Sequence, residues 1–201
     1  MGKELEYKLH IDSPAVLARV LADAELNALT DGPWMETAMK TTYFDGADRR
    51  FTARKWTLRH RFEGGESVVC HKTPQEERHT RGEWQVGAET VDAAAVAALL
   101  EAGAPQELRE LYADGDIRPV CGAEFVRKHV MLRFPDGSRA ELAGDSGILR
   151  GPTEELSFTE LELELYDGAP DAMLAQVRRL CELYGLHEEP LSKSARARRL
   201  R

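Results

Sequence analysis

Residues 1–11 read MGKELEYKLHI, in which Glu4, Glu6 and Lys8 fall on every second position and Leu5, Tyr7, Leu9 and Ile11 fill the gaps. Strict alternation over this length is the pattern of a β-strand with one charged and one apolar face. The fold turns on which face is inside. In an ordinary antiparallel sheet the apolar face packs on the core and the charges meet water. The alternative is a closed barrel with a polar interior, whose apolar outer face is covered by helices.

The same alternation recurs along the chain. TLRHRFE (57–63) sets Arg59 and Arg61 against Leu58, His60 and Phe62, VVCHKTP (68–74) adds Lys72, and TRGEWQV (80–86) adds Arg81 and Glu83 in phase. EFVRKHVMLRF (124–134) carries Arg127, and SRAELAGDSG (138–147) carries Glu141 and Asp145 four apart. FTELELELYDG (158–168) alternates Glu160, Glu162 and Glu164 with Leu161, Leu163 and Leu165. A solvated outer face accounts for any one of these strands taken alone. A polar interior mixing both signs would suit a polyanion carried with divalent cations, with the bases gripping phosphate oxygens and the acids holding metal.

Strands are expected over 3–11, 38–45, 55–63, 66–73, 82–87, 124–134, 137–145 and 157–166. The turns EGGE (63–66) and PDGS (135–138) read as hairpins, so the strands they join should be antiparallel. Three helices are expected. One follows Asp12 or Ser13 as N-cap with Pro14 in its first turn and Val16, Leu17, Val20 and Leu21 at helical spacing. The second runs from near Asp92 to Gly103, and the third places Leu174, Val177, Cys181 and Tyr184 on one stripe before Gly185. The strands divide into two similar halves, each closing near a helix, without an internal repeat.

With 201 residues, 42% hydrophobic and 31% charged, the chain has the length and composition of one domain, expected over 1–201. A net charge of -8 argues against a general nucleic-acid binder, whose duplex affinity rests on neutralising phosphates. Cys70, Cys121 and Cys181 are odd in number and widely spaced, which indicates neither a disulfide framework nor a thiolate zinc site and points to a reducing, cytoplasmic setting. Charge near the N-terminus replaces the apolar run of a secretory signal, and no stretch approaches the roughly 20 apolar residues of a membrane span. Gly2 fits the start of a myristoylation signal, but Glu6 stands where that signal wants Ser or Thr.

Glu4-x-Glu6-x-Lys8 resembles the N-terminal ExExK motif of the CYTH superfamily, the triphosphate tunnel metalloenzymes. Further segments follow in that family's order: TTYFD (41–45), LRHR (58–61), VVCHKTP with Lys72, RGEW (81–84), PVCGAEFVR (119–127), AELAGDSG (140–147), ELELEL (160–165) and LSKSAR (191–196). The middle and late segments look most like the bacterial inorganic triphosphatase branch, some members of which append a helical domain. The resemblance implies an α+β fold: an eight-stranded antiparallel closed barrel forming a polar tunnel, with helices packed on its outside.

The resemblance also implies a triphosphate-bearing small molecule as partner and Mg²⁺ or Mn²⁺ as cofactor, without nucleic acid or membrane. Glu4, Glu6, Glu160, Glu162 and Asp145 would be metal ligands, with Glu141 or Glu83 nearby. Lys8, Arg59, Arg61, Lys72, Arg127 and Lys193 would hold the phosphates, with Arg81 a weaker member. Glu162, Asp145 and Lys8 would take part in metal-assisted attack of water on a terminal phosphorus. Hard cations prefer carboxylate oxygens, guanidinium forks match phosphate bidentately, and ammonium groups add point charge.

The expected activity is therefore hydrolysis of inorganic triphosphate to pyrophosphate and orthophosphate. Rivals are a nucleoside or thiamine triphosphatase, a class IV adenylyl cyclase, and a polyphosphate-binding module without catalysis. Gln85 and Ala197 depart from the pattern, where relatives often have an acid and a glycine. Glu164, at a strand end, is as readily solvated as functional. Arg196, Arg198, Arg199 and Arg201 read as a mobile, solvated basic tail. His60 and His71 are out of phase with the basic faces, and no HxxxH, HExxH, GxxxxGK[ST] or GxSxG pattern occurs. Tyr43, Phe44 and Trp56 read as packing residues, and the surface is compatible with a monomer or homodimer.

Overall fold

Every alternating segment is a strand. The computed structural model describes residues 2–74, 79–113 and 116–200, without the side chains of Lys3, Glu4 and Thr80. Its strands are β1 (Gly2–His10), β2 (Met35–Asp45), β3 (Thr57–Glu63), β4 (Glu66–Pro74), β5 (Thr80–Gly87), β6 (Arg118–Arg133), β7 (Arg139–Arg150), β8 (Glu155–Asp167) and the two-residue β9 (His187–Glu188). They form one nine-stranded antiparallel sheet in the order β5-β4-β3-β2-β6-β7-β8-β1-β9. The ninth strand is a correction to the expected eight; two residues are too few to show alternation.

β1 does not stay with the first half of the chain. It pairs with β8 through Leu5 to His10, with β9 through Leu9 and His10, and with β5 through Gly2 to Leu5. The two halves are thus linked through the N-terminal strand, a contact that hairpin signals cannot reveal.

Both expected hairpins form. Gly64 and Gly65 take φ of 56° and 94°, the paired left-handed geometry of a two-residue turn that only glycine adopts freely. In the second, Asp136 stays out of that region and Gly137 alone has φ of 87°, while the Phe134 N–H donates to the Ser138 carbonyl at 2.9 Å. This is a three-residue loop rather than the Asp-Gly pair expected from sequence. β6 begins at Arg118 and β7 runs to Arg150, beyond the expected 124 and 145. Gly147 lies within β7, and a Cβ there would lie 2.2 Å from the Glu124 carbonyl oxygen, so its bareness lets the paired strands approach.

The helices are α1 (Pro14–Leu21), α2 (Ala24–Ala28), α3 (Arg50–Ala53), α4 (Ala93–Glu101), α5 (Glu107–Ala113), α6 (Asp171–Tyr184) and α7 (Lys193–Ala197). The three expected ones, α1, α4 and α6, end where the sequence marks them. Ser13 accepts the Val16 N–H at 3.3 Å, Asp92 accepts the Ala95 N–H at 2.8 Å, and Gly185 closes α6 at φ of 68°. The other four span at most seven residues, too short for a helical repeat to show. The buried stripe of α6 is Met173, Val177 and Leu180, with Leu174, Cys181 and Tyr184 at its margin, a shift from the expected stripe.

The apolar faces of the strands are covered by these helices. Leu9, Ile11, Leu142, Leu161 and Leu163 pack against Leu17, Val20 and Leu21 of α1 and Met173 and Leu180 of α6. Leu58, Val69 and Trp84 pack against Val96, Leu99 and Leu108 of α4 and α5 and Phe51 of α3. A third cluster lies on the opposite face, where Met39, Tyr43, Ala123, Phe125, Leu149 and Phe158 meet Ala197 of α7. Ala197 therefore ends a helix and is fully buried. Among the described residues no helix is long and apolar enough to cross a membrane.

Candidate functional site

All eight long strands contribute side chains to one cavity of about 520 Å³; seven of them present charged residues, and β2 presents Met35, Thr37, Met39, Thr41 and Tyr43. Among the described residues its wall holds seven Lys and Arg side chains and seven glutamates. Fixed charge is therefore close to balanced, so an anion entering here needs further cations if the acids are not to repel it.

The register brings three acids together. Asp145 lies opposite Glu160, and Glu162 follows two residues on, so all three point from the same face. Each offers an oxygen within 4.8 Å of the others. Arg127, opposite Asp145 on β6, forks onto it with Nε–Oδ1 at 2.8 Å and Nη2–Oδ2 at 2.7 Å and also bonds Glu162. From α7, Lys193 Nζ reaches Asp145 at 2.7 Å and Glu162 at 2.9 Å and pairs with Glu160, which also receives Arg196. Lys8 is opposite Glu162 on β1.

Burial acts against every charge in this group, and the partners decide the outcome. Burial would raise the Glu162 carboxyl, but Lys193, Arg127 and Lys8 hold it well below the usual carboxylate range. Burial does raise Glu160, against the pull of Lys193. Lys193 is itself desolvated, yet Asp145, Glu160 and Glu162 push it above the ordinary lysine value. One ammonium thus spans the three acids. A cluster that gathers an internal cation through oxygen donors alone is also suited to Mg²⁺ or Mn²⁺, whose ligands are oxygens.

The other cations line the same cavity. Glu83 accepts from Arg59 at 3.1 Å and from Lys72 at 3.0 Å, and also takes the Cys70 thiol at 2.8 Å. Burial pushes that thiol up to about 11, so Cys70 is a neutral donor rather than a nucleophile. Arg61 pairs with Glu63 at 3.1 Å, and Lys8 with Glu6 at 3.5 Å. Arg81 lines the cavity without an ion pair among the described residues.

The expected residues are therefore only partly gathered. Asp145, Glu160 and Glu162 converge, while Glu6 lines the wall beside Lys8 outside that trio. The Glu4 backbone is opposite Arg81, and its side chain lies outside the described part. Glu141 is drawn to His129 Nδ1 at 2.6 Å, and Glu164 lines the cavity. His71 belongs to the other face, packed on Trp56 and Trp84, where its Nδ1–H donates to the Thr57 carbonyl at 3.0 Å.

The expected solvated tail is overturned for two of its arginines and holds for Arg199, which is exposed. Arg196 pairs with Glu160, and Arg198 Nη1 donates to buried Asp45 at 2.9 Å, so α7 is tied down beside the cavity. Arg201 lies outside the described residues. Sequence reasoning missed Arg196 as a partner of the acid trio, although it lies three positions from Lys193 and thus on the same helix face.

A family model described as the CYTH domain matches residues 2–197. Among solved structures, a Hippeastrum protein studied as an adenylyl cyclase and reported to reveal a dominant triphosphatase activity is 18% identical at a TM-score of 0.60, covering 96% of this chain and 94% of that one. A Bacillus halodurans protein assigned as an adenylate cyclase is 14% identical at a TM-score of 0.59, and a Pyrococcus horikoshii protein 16% identical at 0.57, each covering 96% of both chains. At these identities the likeness is one of fold.

Proposed function

The chain belongs to the CYTH domain family, and from that premise we propose that it is a divalent-metal-dependent inorganic triphosphatase of the bacterial branch, acting as one domain over 1–201. The pairing of β1 with β5, which joins the two ends of the eight-strand order, supports reading the sheet as a closed tunnel around the cavity. Three separated thiols support a cytoplasmic setting.

The observation that carries the activity is the charged wall together with three convergent acids, of which Glu162 lines the cavity. Lys8, Arg59, Arg61, Lys72, Arg81, Arg127 and Lys193 bind the phosphate chain. Asp145, Glu160 and Glu162, with Glu4 and Glu6, hold Mg²⁺ or Mn²⁺. When bound, the metal neutralises phosphate oxygens and makes water a better nucleophile. Glu162 and Asp145 orient the attacking water, and Lys8, Arg127 and Lys193 shift from carboxylates to phosphate oxygens, stabilising charge on the transferred and leaving groups. The outgoing pyrophosphate is released as orthophosphate forms.

Preference for the inorganic substrate rests on what the wall lacks. Tyr43 and Phe125 are its described aromatic rings other than His129, and they are 4% and 6% exposed, so neither offers a free face for a base to stack on. The dominant triphosphatase activity of the Hippeastrum protein supports hydrolysis over cyclisation. Phosphorus NMR with tripolyphosphate, ATP and thiamine triphosphate, each with Mg²⁺ or Mn²⁺ and then with chelator, tests it. We expect orthophosphate and pyrophosphate from tripolyphosphate, stopped by chelator. Cyclic AMP from ATP, or binding of tripolyphosphate without turnover, would overturn the assignment.

A further inference from the structure

We propose that Asp45 and Arg198 form a clamp that positions Lys193, holding α7 beside the cavity while the Lys193 ammonium exchanges carboxylates for phosphate. The inference deepens the proposed function and rests on it for its kinetic arm alone.

The need for a clamp follows from the size of α7. A helix of five residues cannot nucleate and hold itself in water, so its place must be imposed by side chains. Those side chains have two kinds of partner. Lys193 and Arg196, three apart, reach the acid trio, whereas Arg198 turns back to the Ser194 hydroxyl, with Nε–Oγ at 3.1 Å, and to partners outside the cavity. The cavity-side ties are those that metal and triphosphate must disturb, because Asp145, Glu160 and Glu162 are the shared partners.

Arg198 is tied elsewhere. Its Nη1 donates to Asp45 Oδ2 at 2.9 Å, and neither residue lines the cavity. Asp45 is fully buried and firmly set: Oδ1 accepts the N–H groups of Gly46 at 2.9 Å and Phe51 at 3.0 Å, and Oδ2 accepts the Thr52 N–H at 3.1 Å and hydroxyl at 2.6 Å. Phe51, in α3, is itself in the apolar core under α4 and α5. The carboxylate is thus a post fixed to β2 and α3, and its guanidinium partner belongs to α7. A charge pair of this kind, buried and hydrogen-bonded on both sides, loses its geometry when either member is cut.

Hydrogen exchange of the full chain, combined with tripolyphosphate kinetics, tests the clamp on Arg198→Ala and Arg198→Lys. In Arg198→Ala we expect amides of residues 193–200 to exchange about ten times faster while the strands keep their protection. The tripolyphosphate KM should rise about tenfold with a smaller change in kcat, and Arg198→Lys should recover part of both effects. Unchanged exchange at 193–200, faster exchange spread through the whole sheet, or loosening of α7 with no change in KM would each overturn the proposal. If the wild-type protein hydrolyses no triphosphate, the functional reading fails, and exchange at 193–200, which needs no substrate, still decides the clamp.

Discussion

The two faces of β8 are both buried at Glu160 and Leu161 and do opposite things. Leu161 and Leu163 are fully buried under α1 and α6, and Glu160 is equally buried on the other side of the same strand. Hiding each leucine stabilises the fold by about 1.5–3 kcal/mol. Hiding the carboxylates costs free energy that only their counter-ions offset, and a pair stripped of one partner is strongly destabilising. The contrast shows how one alternating strand separates duties: its apolar face holds the sheet to its helices, and its acidic face is kept poised by Lys193, Arg127 and Arg196 at little net gain to stability.

The largest expected effect lies on the acidic face. Glu162→Gln should lower tripolyphosphate turnover on the order of 1000-fold, comparable to removing a main group that stabilises a transition state. Stability should change little, because Arg127 keeps Asp145 and Lys193 keeps both Asp145 and Glu160. Phosphate release and thermal unfolding, measured side by side, check both halves. A large fall in unfolding temperature would break the division between the faces.

Next comes the mirror experiment. Leu163→Ala should cost about 3 kcal/mol in urea denaturation, the usual range for a fully buried leucine, while kcat below the unfolding transition stays near wild type. A comparable loss of kcat would mean that the outer face tunes the site as well as supporting it.

Much of this division was legible in the alternation itself. MGKELEYKLHI and FTELELELYDG named the strands and their two faces, and Gly64 and Gly65 named a turn, because these signals are local. The closing contacts were not. Asp45 and Arg198 are separated by 153 positions and Glu160 and Arg196 by 36, so the arginines that bind α7 looked like a loose tail. The first residues of β6, RPVCGA, mix a proline and a glycine with small side chains and show no period, although tertiary pairing with β2 makes them strand. Glu6 and Glu141 carried the right chemistry in the right phase, but separate partners, Lys8 and His129, draw them from the trio.

The third effect separates the faces by pH. His71 sits on the apolar side of β4, between Cys70 and Lys72 of the cavity side, and burial lowers its pKa from 6.5 to about 4 despite the bond to the Thr57 carbonyl. A histidine whose folded pKa is depressed lends stability above its unfolded pKa, and that contribution fades as pH falls from about 6.5 towards 4. Between pH 7 and pH 5 the loss should be about 2 kcal/mol. Urea denaturation at the two pH values should show it in the wild type and show less in His71→Gln, whose amide can still donate to Thr57 but does not titrate. An undiminished pH dependence in the variant would assign the effect to the acids of the cavity instead.

The smallest effect sharpens the comparison within the cavity. Arg81 faces the same space as Arg59 and Lys72, but those two are held by Glu83, whereas Arg81 has no ion pair among the described residues to fix its direction. An unanchored arginine pays side-chain entropy when a phosphate orders it, so its contact returns little net free energy. Arg81→Ala should therefore raise the tripolyphosphate KM about threefold and leave kcat unchanged, the signature of a contact made equally in ground and transition states. Arg59→Ala, measured in parallel, should lose kcat as well, because Glu83 holds that guanidinium where charge develops. If the two variants behave alike, anchoring by Glu83 is not what distinguishes the strong cations of this wall from the weak one.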